Sequence, residues 1–196
     1  MPEPTAIAEI KATLRREALA RREALSADMR ATAAQAIAAR PFPIPVSAGA
    51  IVSGFMRLKS EINPLPLMRR LAEGGARLAL PVVAGKGKPL TMRAYAFGDR
   101  LAAGVWGIRE SRPDAPEVFP DILLVPLLAF DRRGHRLGYG AGYYDMTITA
   151  LRARKTVAAV GIAYAAQEVA EVPTTPRDAR LDLVLTENEV IEFRAS

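Results

Sequence analysis

The apolar run Ile122-Leu123-Leu124-Val125-Pro126-Leu127-Leu128-Ala129-Phe130-Asp131 leads into Gly134-His135-Arg136-Leu137-Gly138-Tyr139-Gly140-Ala141-Gly142-Tyr143-Tyr144-Asp145. A buried strand that gives way to a basic, glycine-dense loop is how many α/β proteins receive a phosphate. Four glycines within nine residues, Gly134, Gly138, Gly140 and Gly142, let successive N–H groups turn toward one anion without Cβ interference. Arg132, Arg133 and Arg136 add charge beside them. The loop is neither a Walker loop, since it has no Lys-Ser/Thr pair, nor a dinucleotide fingerprint, since Tyr143 stands where the third glycine would fall. The plainer reading is a surface loop with glycines for turn geometry. Against it stand two tyrosines and an acid at the loop's end, flat surfaces and a carboxylate that suit a ligand and a phosphate-bound cation.

The rest of the chain supplies the frame for such a loop. Ile7, Ile10, Leu14, Ala18 and Leu25 recur at helical steps and predict a helix from about Thr5 to Leu25 with one apolar stripe. Ser26 caps a second, alanine-rich helix through Ala39, which stops before the stiff segment Pro41-Phe42-Pro43-Ile44-Pro45. Strands are expected over Ala50–Phe55, Arg77–Pro81, Asp121–Pro126 and Thr156–Ile162, with short ones near Leu183 and Val190 and a hairpin-like stretch from Thr91 to Phe97. Helices are expected over Pro64–Ala72, closed by Gly74-Gly75, and after Tyr143. Strands alternating with helices argue an α/β fold, a three-layer α/β/α sandwich with a mainly parallel, mixed sheet, in a single domain over residues 1–196. Ligands of such sheets gather beyond the carboxyl ends of the strands, where Met56–Glu61, the glycine loop and Tyr164–Gln167 are expected to converge.

Composition narrows the class. Half of the 196 residues are apolar and 24% are charged, with no long uncharged apolar run, which argues a globular chain with no membrane span. The start, Met1-Pro2-Glu3-Pro4-Thr5, has no basic-then-apolar leader, and there is no cysteine, so a cytoplasmic location is expected. A formal charge of +6 suits anionic small molecules. A basic RNA-binding module is the rival from another class. It would need clustered charge and interleaved aromatics, whereas the bases here alternate with acids, as in Arg15-Arg16-Glu17 and Arg21-Arg22-Glu23. No nucleic-acid or membrane partner is therefore expected, and the chain is expected to be a monomer.

Several side chains carry chemistry by type and place. Lys11 and Arg15, four apart, share a helix face and can reach one anion, or can simply be a solvated basic face. Glu61 follows an apolar strand, where a carboxylate can accept paired N–H bonds from a flat heterocycle or serve as surface charge. Met56 and Trp106, the only tryptophan, read as pocket walls or as packing. Tyr143 can stack on a ligand or hydrogen-bond to a reacting oxygen. Asp145 reads as a metal ligand or as a helix cap, and His135 shows no carboxylate partner in the sequence around it.

These pieces resemble the 5-formyltetrahydrofolate cyclo-ligase family. The resemblance is carried by Phe130-Asp131 with Arg136-Leu137-Gly138-Tyr139-Gly140-x-Gly142-Tyr143-Tyr144-Asp145, by Lys11-x-x-Leu14-Arg15, Glu61, Leu80-Pro81, Trp106-Gly107-Ile108 and Asp121, and by Gly161-x-Ala163-Tyr164-x-x-Gln167 and Val172-Pro173 with Asp178, Asp182 and Thr186. It implies ATP- and Mg²⁺-dependent closure of 5-formyltetrahydrofolate to 5,10-methenyltetrahydrofolate, through phosphorylation of the formyl oxygen, attack by N10 and loss of phosphate. It further implies ATP contacts at Lys11, Arg15 and the loop residues Gly134, His135, Arg136, Leu137, Gly138, Tyr139, Gly140, Ala141 and Gly142. Folate contacts fall at Met56, Glu61, Trp106 and Tyr143, and magnesium at Asp145 and Asp178, with Asp182 competing for the second place. Lys11, Arg136 and Tyr143 are the implied catalytic groups. Two departures stand out: Ala141 replaces a glycine frequent in this loop, and Asn63 stands where a threonine is common. A relative that binds nucleotide but has lost folate chemistry is the alternative within the fold.

Overall fold

The computed structural model describes residues 4–193; the first and last three positions of the expected domain lie outside the described residues. Two helices come first, α1 (Pro4–Glu23) and α2 (Ala27–Ala39). Ser26 caps α2 as expected, its hydroxyl accepting the Met29 N–H at 3.1 Å, and Arg40, extended ahead of Pro41, ends it. Then follow β1 (Ile51–Ser53), α3 (Leu65–Glu73), β2 (Arg77–Val82), β3 (Thr91–Tyr95), β4 (Leu101–Ala103), β5 (Arg109–Ser111), β6 (Ile122–Pro126), β7 (Ala129–Phe130) and β8 (Arg136–Leu137). The chain closes with α4 (Tyr143–Arg152), β9 (Ala158–Ile162), β10 (Leu183–Leu185) and β11 (Val190–Glu192).

Seven strands form one sheet in the order β11-β10-β9-β6-β1-β2-β3. The five inner strands run parallel, and β3 and β11 close the edges antiparallel. The alternation of side chains along a strand divides the core. Val52, Leu124, Val160 and Leu185 pack with Ala34, Ile37, Met68 and Leu71 of α2 and α3, while Leu123, Val125, Ala159 and Val184 pack with Ile148 and Leu151 of α4. Each inner strand is thus covered on both faces, which is why it reads as an unbroken apolar run. The expected layering and mixed sheet are observed.

Three departures matter. The inward face of α1 keeps Leu14 and Ala18 of the expected apolar stripe, but Ile10 is 50% exposed and Arg22 is fully buried, so the stripe is broken at one position and joined by a cation. The segment Leu101–Ser111 is a separate two-stranded ribbon with a 3-10 turn at its tip, Val105–Gly107. The glycine loop also leaves the sheet by a small ribbon, β7 paired with β8, before it reaches α4.

Candidate functional site

A cleft of ≈ 740 Å³ lies beyond the carboxyl ends of β1, β2 and β6, bordered by Phe55, Pro81 and Pro126. Lys11, Arg15, Met56, Glu61, Trp106, Arg136, Leu137, Gly138, Tyr139, Gly140, Ala141, Gly142, Tyr143, Asp145 and Asp178 all line it. Segments separated by as many as 167 residues are therefore brought to one wall, as in the Lys11–Asp178 pair.

At one end the cations are already engaged. Lys11 Nζ lies 2.6 Å from Asp178 Oδ2, which also accepts the Thr175 N–H at 2.6 Å and its hydroxyl at 3.0 Å. Burial pushes the Asp178 carboxyl upward, but Lys11 and Thr175 together outweigh it and hold the group below the ordinary carboxylate range. Arg136, itself buried, places Nη1 2.8 Å from the Ala179 carbonyl and 2.9 Å from Asp145 Oδ1. Asp145 Oδ1 also accepts the Ala179 N–H. Arg15 Nε donates to the Gly138 carbonyl at 2.9 Å. Gly140 has φ +105°, a conformation that favours glycine, and a Cβ there would press on the Arg15 guanidinium at 3.3 Å. Gly142, with φ +71°, caps α4 without any side-chain hydrogen bond, leaving the first-turn N–H groups of a ten-residue helix free of a side-chain cap at the cleft.

The other end is apolar with a single buried acid. Glu61 is 5% exposed, and its Oε2 accepts the Leu58 N–H at 2.7 Å. Burial raises its pKa against the opposing pull of that N–H, of the Arg22 charge and of the Tyr139 hydroxyl. Burial likewise raises the Tyr144 phenol, helped by Glu61 and opposed by Arg136. Trp106 sits at the ribbon tip with φ +58°, a backbone region that a bulky residue seldom adopts, and it stays 62% exposed. Its ring lies 6.0 Å from that of Tyr143, tilted by 58°.

Several expected residues lie elsewhere. Gly134 and His135 do not line the cleft. Gly134 turns the β7–β8 ribbon beneath Phe193, and His135 Nδ1 lies 3.3 Å from Asp131 Oδ2. His135 thus does have a carboxylate partner, one that sequence inspection did not pair with it. Asp131 serves a fold role, also accepting N–H groups from Arg133, His135 and Val172. Tyr164–Gln167 does not reach the cleft. Gln167 is buried and donates to the Leu127 and Leu128 carbonyls, fixing the chain between β6 and β7. Asp182 accepts the Ala159 N–H at 2.7 Å and pairs with Arg152 at 2.8 Å, away from the cleft that Asp178 lines. Asn63 accepts the Leu65 N–H and starts α3 instead of facing the cleft.

Arg22 was missed by sequence reading, along with the tie its side chain makes to Tyr139. The signal was present: Arg22 falls seven residues after Arg15 and eleven after Lys11, so all three share one helix face. It was hidden because the eye assigns buried helix positions to apolar residues.

Comparison with known proteins decides what this cleft belongs to. Residues 7–187 match the profile of the 5-formyltetrahydrofolate cyclo-ligase family. The chain belongs to the 5-formyltetrahydrofolate cyclo-ligase family. It is 33% identical over 182 residues to the 5-formyltetrahydrofolate cyclo-ligase of Escherichia coli (strain K12), covering 88% of this chain and 98% of that one. To the cyclo-ligase of Mycolicibacterium smegmatis it is 36% identical over 146 residues, covering 70% and 74%. The solution structure of Aquifex aeolicus 5,10-methenyltetrahydrofolate synthetase superposes with a TM-score of 0.78 at 27% identity, covering 95% of this chain and 94% of that one. The structure of a synthetase from Mycoplasma pneumoniae shares the fold, with a TM-score of 0.68 at 22% identity over 90% of this chain and 98% of that one. As a cyclo-ligase family member, the protein is an enzyme of the ligase class.

Proposed function

We propose that this cyclo-ligase closes 5-formyltetrahydrofolate to 5,10-methenyltetrahydrofolate using ATP and Mg²⁺, with phosphates at the glycine loop and the pterin at Glu61. The observation that carries the reading is the division of one cleft into a cationic end and an apolar end with a buried carboxylate. A formyl oxygen is a poor leaving group until it is phosphorylated, so the protein's task is to align two substrates and neutralise phosphoryl charge. Lys11, Arg15 and Arg136 supply positive charge, and the N–H groups at the start of α4 supply donors. Tyr143 sits where it can face the reacting oxygen, and Met56 and Trp106 flank the pterin.

Asp145 and Asp178 fit a magnesium ion of the sparse kind. Each spends one oxygen on the protein donors described above, through Oδ1 of Asp145 and Oδ2 of Asp178. Among the described residues no group of three or more His, Cys, Asp or Glu side chains could cage a metal. A cation here would take most of its ligands from phosphate and water, as Mg²⁺ does. Bound there, it would neutralise phosphate charge and orient the phosphate chain.

Small-molecule substrates of this kind call for no nucleic-acid or membrane partner, and no helix among the described residues is long and apolar enough to cross a membrane. The direct test mixes the protein with 5-formyltetrahydrofolate, ATP and Mg²⁺ and follows the near-ultraviolet absorbance of the methenyl product. Growth that stops when ATP or Mg²⁺ is withheld is expected. No growth with ATP binding intact would overturn the folate reading and leave a nucleotide-binding relative.

A further inference from the structure

Lys11, Arg15 and Arg22 form a stripe along α1, and each reaches a different part of the cleft wall. Lys11 holds the Asp178 loop, and Arg15 holds the Gly138 carbonyl and packs on Gly140. Arg22, fully buried, donates from Nε to Ser60 Oγ at 3.1 Å and from Nη2 to the Tyr139 hydroxyl at 2.5 Å. Ser60 adjoins Glu61. Tyr139 stands in the middle of the glycine loop, 47% exposed, with its ring 5.7 Å from Arg22 Cζ. One guanidinium therefore spans the two ends of the cleft from behind.

This is a costly way to brace a fold. A buried cation must be desolvated, and Arg22 Nη1 is buried with no hydrogen-bond partner among the described residues. An apolar side chain of similar length would fill the same space without either cost. What it could not do is make two directed contacts from one rigid plane. Because the guanidinium is planar, its two contacts share one orientation, so a shift of Tyr139 that turns the plane also changes the arm on Ser60.

We infer that Arg22 is a positioning residue that ties the glycine loop to the Glu61 loop, so that a phosphate chain in the glycine loop tightens the hold on folate at the other end. The inference rests on the assignment of the two ends made above. Capture of phosphates by Gly138–Gly142 orders Tyr139, the fork follows, and Ser60 carries Glu61 into register with the pterin edge. Thermodynamic linkage makes the effect reciprocal: bound folate must tighten the nucleotide by the same factor.

The test is calorimetric titration of 5-formyltetrahydrofolate into the protein with and without a non-hydrolysable ATP analogue. In the wild type the analogue is expected to tighten folate about fivefold or more. Tyr139→Phe and Arg22→Met should each bring that factor below about twofold, and Arg22→Lys should do the same, since it keeps the charge and loses the fork. Tyr139→Phe removes a hydroxyl that Arg22 holds and that also pulls on Glu61, so Arg22→Lys, which spares that hydroxyl, isolates the fork: coupling lost in Tyr139→Phe but kept in Arg22→Lys overturns the role of Arg22. A wild type without coupling, or coupling that survives Tyr139→Phe, overturns the tie. Glu61→Gln in the same titration separates the two readings. If it leaves folate affinity unchanged, the assignment of Glu61 falls and the tie with it; if it weakens folate while Tyr139→Phe couples normally, only the tie falls.

Discussion

At the glycine-loop end of the cleft, Lys11, Arg15 and Arg136 are each engaged with a carboxylate or a carbonyl, whereas at the Glu61 end one carboxylate is buried beside Arg22 and Tyr139, with the Leu58 N–H as its close donor. The first end is held together by charge. A phosphate arriving there takes over from a carboxylate at Lys11 and Arg136 and from a carbonyl at Arg15, so the cations need little new desolvation and little new ordering. The second end has no such exchange to offer. Glu61 loses most of its water on folding and gains only part of the compensation, so a flat ligand presenting paired N–H groups completes what the fold leaves undone. Charge strength sets the first end, and shape with one buried, incompletely compensated carboxylate sets the second.

The contrast breaks first at Arg136. Arg136→Met removes a cation from the cleft and leaves Asp145 with the Ala179 N–H, and kcat/KM is expected to fall roughly a hundredfold or more. Loss of the buried partner also costs about 3 kcal/mol of stability, measurable by denaturant unfolding. An effect on the KM of folate alone, with ATP kinetics intact, would mean that the charged end extends to the pterin. Lys11→Met comes next. It leaves Asp178 with Thr175 as its partner and should raise the KM of ATP roughly tenfold with little change in the KM of folate, read from paired substrate titrations. Equal rises in both constants would erase the division of labour.

The two ends were also unequally legible in the sequence. The charged end announces itself because glycines, arginines and an acid crowd into Arg132–Asp145, and because Lys11 and Arg15 share a helix face. The sheet was legible for a related reason: runs such as Ile122–Pro126 are apolar on both alternating faces, and only cover on both sides explains that. The apolar end offers a lone Glu and a lone Trp in separate segments, and no local rule says that they meet. Tyr164–Gln167 misled because the rule about strand ends names where a cleft lies but not which loop turns away from it, and Gln167 is spent on the Leu127 and Leu128 carbonyls. His135 and Asp131, four residues apart, could have been paired, but only the β7–β8 ribbon makes that spacing a contact. Arg22 was legible only as a face shared with Lys11 and Arg15, because nothing in a helix pattern separates a buried arginine from a solvated one.

Glu61 gives the sharper test of the second end through pH. Burial raises its folded-state pKa above the ordinary 4.5, with Arg22 from α1, Tyr139 from the glycine loop and Tyr144 from α4 as the charged or titratable groups around it. The folded protein therefore holds this proton more tightly than the unfolded chain. Stability contributed at this site is present at acid pH and is lost as pH rises through the raised pKa. Folate binding runs the other way, because only the carboxylate accepts two N–H bonds, so affinity should fall as pH drops through the same window. Glu61→Gln should weaken folate roughly tenfold at neutral pH, remove the acid limb from the folate affinity profile, and remove this site's share of the loss of stability on raising pH. An acid limb that survives in Glu61→Gln would assign it to another group.

The smallest expected effect lies at Trp106. The side chain is mostly exposed and lies beside the Tyr143 ring, so the fold draws little on its burial. Trp106→Ala should leave the unfolding midpoint nearly unchanged and raise the KM of folate about fivefold, the worth of one aromatic contact, without altering the KM of ATP. The strained φ at this position explains why the change is confined to binding. The ribbon tip spends free energy to hold an indole over the apolar end, and Ala inherits that backbone cost with none of the contact. Trp106→Gly relieves the strain while losing the same ring. If the two variants bind folate equally but Trp106→Gly unfolds at a higher temperature, the tip is a rigid mount whose strain serves the ligand; if Trp106→Gly binds folate much more weakly than Trp106→Ala, the backbone at the tip, and not the ring, is what the substrate reads.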